Sequence, residues 1–115
     1  MAAKREPAHV VEARRDAALA GLSHAVPFVN ELGVGFERLG DELTGKLSYH
    51  EKLIGNPVLG ALHGGATGAF LEITAQVTLG WTRVWEMMEA GGDAAAAIDR
   101  GEYPALPKTI DFSLD

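Results

Sequence analysis

Leu62-His63-Gly64-Gly65-Ala66-Thr67-Gly68-Ala69-Phe70-Leu71-Glu72-Ile73-Thr74-Ala75-Gln76-Val77 is the stretch on which the fold turns. Two periods fit it. Leu71, Ile73, Ala75, Val77 and Leu79 alternate with Glu72, Thr74, Gln76 and Thr78, the pattern of a half-exposed strand. Wound as a helix, the same residues place Phe70, Ile73, Val77 and Trp81 on one side and Gly65, Gly68, Ala69, Glu72, Ala75 and Gln76 on the other. Periodicity alone leaves both readings open. In either of them Glu72 stands out, because it is the sole formal charge between Lys52 and Arg83. A carboxylate in apolar surroundings is costly unless it is paired, protonated or put to chemical use, so Glu72 is the first candidate for chemistry.

Outward from this stretch the chain divides into recognisable segments. Residues 8–22 are Ala-rich, with Val10, Val11, Ala17, Ala18 and Leu22 near helical spacing, which predicts an amphipathic helix weakened at its end by Gly21. Lys4, Arg5, Arg14 and Arg15 are interleaved with Glu6, Glu12 and Asp16, the pattern of a solvated helix face. Pro27 and Gly33 bracket a short connector. Beyond it Val34 and Phe36, then Leu43, Gly45, Leu47 and Tyr49, alternate with polar residues across Gly40-Asp41, which predicts a hairpin. Ile54-Gly55-Asn56-Pro57 has the chemistry of a loop, and residues 108–115 alternate as a strand. Trp81, Trp85, Met87 and Met88 fit a core or an interface better than a ligand-binding lid.

A chain of 115 residues, 47% of them hydrophobic, has the size and composition of one domain spanning 1–115, with residues 1–26 as a helical N-terminal extension. The net charge of -6 opposes a nucleic-acid or anionic-membrane surface, which needs clustered Lys and Arg. No stretch reaches the roughly 18 strongly apolar residues of a membrane span, and no apolar region follows the basic N-terminus, so a cytoplasmic protein is expected. Without cysteine there is no disulfide framework, thiolate nucleophile or Cys-ligated metal. His9, His24 and His50 are too dispersed for metal-ligand spacing, and no metal or cofactor is expected.

The segment from Leu62 to Glu72 resembles the signature of hotdog-fold acyl-CoA thioesterases of the phenylacetate-degradation type. In that family a His-Gly-Gly turn opens a central helix, and an Asp or Glu nine positions after the His is the catalytic carboxylate; here that position is Glu72. Pro27-Phe28 with Leu32-Gly33-Val34, then Ile54-Gly55-Asn56-Pro57, then Thr109-Ile110-Asp111-Phe112 are similar to the family's first-strand entry, loop and third strand, in that order. The resemblance implies an α+β hotdog domain and decides for the helix. It also implies an incomplete one, because the chain ends where the family continues into further strands. The connection from Trp81 to Lys108 is longer than the family's, and its role is not inherited.

The implied chemistry assigns a task to each motif residue. Gly64 would present its backbone N–H to a thioester oxyanion at a helix N-terminus, and Glu72 would serve as general base or nucleophile. Gln76 and Asn56 would orient water or substrate, with His63 and Gly65 shaping the turn beside them. Eight residues of helix separate Gly64 from Glu72 by roughly 12 Å, too far for one carbonyl, so the site would combine two subunits of a homodimer or a dimer of dimers. Acyl-CoA is the implied partner. A non-catalytic acyl-CoA binding or regulatory module, or a structural half-domain for oligomerisation, are the alternatives.

Overall fold

The computed structural model describes residues 6–109 and 113, and among them the fold is mixed α and β. Helix α1 (Ala8–His24) is followed by helix α2 (Pro27–Leu32) and a hairpin of strands β1 (Val34–Leu39) and β2 (Glu42–Leu47). A single 3-10 turn at Glu51–Leu53 leads into strand β3 (Ile54–Asn56), which pairs with strand β4 (Ala61–Leu62). Helix α3 (Gly64–Ala90) and helix α4 (Gly92–Asp99) complete the elements among the described residues.

The central stretch is a helix of 27 residues. Its alternating threonines do not force a strand, because each satisfies its hydroxyl on the preceding turn. Thr74 Oγ1 donates to Phe70 O at 2.8 Å, Thr78 Oγ1 to Thr74 O at 2.7 Å and Thr82 Oγ1 to Thr78 O at 3.1 Å. With that competition removed, the helical stripe decides. Ile73, Val77, Trp81 and Val84 are buried along one side of α3, against Ala18, Leu19 and Leu22 of α1 and Val29 and Leu32 of α2. Burial of each such large side chain contributes about 1.5–3 kcal/mol.

The hairpin follows the sequence reading, antiparallel from Val34↔Leu47 to Leu39↔Glu42 around Gly40 at φ 63°. It meets α3 through Gly45, where a Cβ would lie 2.7 Å from Thr74 Oγ1. Four segments differ from expectation. The Pro27–Gly33 connector is helix α2, with Pro at its start and Gly33 closing it in the left-handed region at φ 83°. Ile54-Gly55-Asn56 is not loop but strand β3. The long connection after Trp81 is helix α3 continued to Ala90, then α4, which closes on the core through Ile98. Lys108 and Thr109 lie outside any strand, and residues 110–112, 114 and 115 of the expected C-terminal strand lie outside the described residues.

The first half of α1 is held differently from the second. Its buried residues begin only at Ala18. Ahead of them Arg38 of β1, its side chain 4% exposed, pairs with Glu12 and Asp16 and donates to Gly40 O, which fastens the helix to the hairpin. Arg15 stacks 4.2 Å over the Trp85 ring and pairs with Glu12 and Glu89. The expected solvated basic face is therefore in part a docked one. No local pattern announces it, because Trp85 and Arg38 come from other elements.

Candidate functional site

The turn ahead of α3 is built from its neighbours. His63 is the N-cap of the helix, with extended backbone at φ -64° and ψ 134°, and its Nδ1 accepts the Gly65 N–H at 2.8 Å. An accepting Nδ1 leaves the ring proton on Nε2. The His63 carbonyl accepts from Ala66 and Thr67, and its own N–H donates to Leu53 O at 2.7 Å, which ties the cap to a buried residue. Two glycines make room for the ring. A Cβ on Gly65 would come within 2.9 Å of Nδ1, and one on Gly55 within 2.7 Å of the His63 Cα.

This arrangement uses the Gly65 donor and leaves the Gly64 donor. Among the described residues the Gly64 N–H makes no backbone hydrogen bond, and a Cβ built on Gly64 would meet nothing within 4 Å. The first helical residue thus offers an open N–H at the positive end of a 27-residue helix. Glu72 lies two turns further, half-buried, with Gly68 and Ala69 one turn before it and Ala75 and Gln76 one turn after. The rise of the helix separates Gly64 from Glu72 by roughly 12 Å along the axis.

The remaining expected site residues are engaged elsewhere. The Asn56 side-chain oxygen accepts from Val58 N at 3.1 Å and Leu59 N at 3.3 Å, closing the β3–β4 turn. Gln76 Nε2 donates to Pro107 O and to Thr109 Oγ1, both at 3.2 Å, so its amide holds the segment after α4. The structure brings His63, Gly64 and Gly65 together at one turn. It places Asn56 in the adjoining hairpin and Glu72 and Gln76 farther along the helix. Sequence reading missed Leu53, whose carbonyl accepts the His63 N–H, and Gly55, which packs against the His63 Cα; no local pattern in Ile-Gly-Asn-Pro, which has loop composition, marked that close approach.

Among the described residues, no group of three His, Asp or Glu side chains could hold a metal ion. Nor is any helix there long and apolar enough to cross a membrane. Set against protein-family models, curated proteins and solved structures, the chain matches none.

Proposed function

We propose that the chain is a cytoplasmic hotdog-type hydrolase of acyl-CoA thioesters, acting as a homodimer. Glu72 takes a proton from water, whose oxygen attacks the thioester carbonyl; the Gly64 N–H holds the resulting oxyanion. Collapse breaks the C–S bond, coenzyme A leaves as thiolate and takes up the proton, and the acid is released. Direct attack by Glu72, through an anhydride that water then opens, satisfies the same geometry. The observation that carries this reading is the open N–H of Gly64 at the start of α3, with the neighbouring Gly65 N–H already engaged by His63. A donor and a base serving one carbonyl must each approach within about 3 Å, so the Gly64 of one copy works with the Glu72 of another.

Subunit mixing tests this. Gly64→Pro removes the donor at a position suited to proline, because it is the first helical residue and the preceding His63 is already extended. Each of Gly64→Pro and Glu72→Gln should lose about two to four orders of magnitude in kcat, read as thiol release from a panel of short, medium and aryl acyl-CoA. A mixed dimer carries one doubly defective site and one intact site, and activity returns. Inactive mixtures that demonstrably contain heterodimer would sink the shared site. One observation favours a non-catalytic acyl-CoA-binding or structural role: Asn56 and Gln76 are both engaged in internal hydrogen bonds. Binding of acyl-CoA without turnover by the wild-type chain would establish the binding reading instead.

A further inference from the structure

Residues 102–109 cross α1 and α3 without helix or strand. Every third residue from Tyr103 touches a helix. The Tyr103 ring occupies the space above Gly21, where any Cβ would collide with its hydroxyl. Leu106 covers Gly80, whose Cβ would lie 2.7 Å from Leu106 Cδ2, and Thr109 Oγ1 accepts from Gln76 at 3.2 Å. Tyr103 and Leu106 each precede a proline, which keeps the backbone extended, and a contact period of three is that of a polyproline strand. Beneath and beside them lies a groove of about 460 Å³ whose lining includes Leu22, Val26, Tyr103 and Leu106.

Side chains are what hold this segment. Among the described residues no backbone N–H of 103–109 donates a hydrogen bond, and Pro104 and Pro107 have none to give. Segments with little backbone hydrogen bonding open at a small fraction of the global unfolding free energy. Pro104 and Pro107 fix their own φ and restrict the residue before each, so fewer torsions have to be ordered when the segment closes again. Its floor is the reverse, since Leu22 is 1% exposed and lies in rigid helix. We propose that residues 103–109 are a strap that opens as a local unit from Glu102, whose own N–H is bonded to Ala97 O, that it is held by Tyr103 on Gly21, Leu106 on Gly80 and the Gln76 amide, and that its opening uncovers the apolar floor while α1 and α3 stay folded. Gln76 is then a positioning residue for the strap. This holds whatever reaction the chain performs, because it is read without turnover.

The chain has no cysteine, so a single introduced thiol is a clean probe. Leu22→Cys lies under the strap, and Val77→Cys, at a position 0% exposed, reports global unfolding. After correction for each variant's own unfolding equilibrium, the thiol at 22 should react with a thiol reagent at least about tenfold faster than that at 77. Adding Gly21→Ala or Gln76→Ala should raise the rate at 22 by about tenfold again and leave that at 77 unchanged. Gly21→Ala is the decisive variant: its methyl displaces Tyr103, yet alanine favours helix over glycine, so α1 is not weakened. Equal corrected rates at the two sites, or equal responses to both added substitutions, would make the strap part of the global core and overturn the proposal.

Discussion

The first two turns of helix α3 and its middle are made of different material. From Ile73 to Val84 it is anchored: Val77 and Val84 are 0% exposed and Trp81 2%, and removing any of them opens the centre of the molecule. From Gly64 to Leu71 it carries three glycines and no fully buried residue, and its start is fixed by one imidazole cap and one hydrogen bond back to Leu53. The anchored part sets stability. The other part is free to expose a backbone donor because its position is secured further along the same rigid rod.

That contrast can be broken or sharpened by substitution. The largest effect belongs to the anchored part: Trp81→Ala should cost about 3–5 kcal/mol in chemical denaturation. Trp81→Phe should cost far less, because the indole Nε1 has no hydrogen-bond partner among the described residues to lose. A Trp81→Ala protein as stable as wild type would mean that the core lies elsewhere. At the other end His63→Ala should cost only about 0.5–2 kcal/mol, the range for loss of an N-cap. Faster amide exchange should be confined to the first turn of α3, and exchange rising equally at Val77 would refute the separation. His63→Asn, which restores a capping acceptor, should recover most of the loss.

The smallest effect is electrostatic and sits on the first half of α1. The hydrogen bond from Arg38 holds the Glu12 carboxyl below the usual carboxylate range. Burial works against the Arg38 charge, but its hydrogen bonds to Glu12 and Asp16 outweigh burial and keep its pKa raised. A carboxyl with a depressed folded pKa contributes stability that is complete above its unfolded pKa and disappears as pH falls through the folded one. On acidification below the ordinary carboxylate range, amides 10–16 should therefore lose protection before amides 18–23, which belong to the apolar half. Arg38→Met should remove that difference between pH 7 and acid. Since Glu12 faces solvent, the same loss should appear with added salt at neutral pH. Indifference to both would show that the contact is ornamental.

Much of this architecture was legible beforehand, for local reasons. The Ala-rich helix, the hairpin across Gly40-Asp41 and the His63 turn each depend on residues within a few positions of one another. The helix at Pro27 was missed although Pro at a first turn and Gly after a last one are helix signals, because six residues offer too little periodicity to outweigh loop composition. The β3–β4 pair was missed because its three residues and two carry almost no pattern. At the candidate site, the capping role of His63 and the exposure of Gly64 follow from the order His-Gly-Gly. The engagement of Asn56 by Val58 and Leu59 is local too, yet it competes with a substrate-facing role that spacing cannot weigh.

The sequence by itself, whose periodicity left the central stretch open between strand and helix, determined the Ala-rich first helix, where the hairpin turns, and that one isolated carboxylate stands nine positions after His63. Those outcomes rest on backbone preferences and periods that act over fewer than about ten residues. Only the tertiary structure decided that Arg15 stacks on Trp85, that Arg38 clasps Glu12 and Asp16, and that Gln76 grips Pro107 and Thr109 instead of standing free. Each of these joins residues between 22 and 70 positions apart in the chain. Such pairings depend on how helices and strands cross once their apolar faces are buried, and no local period records that crossing.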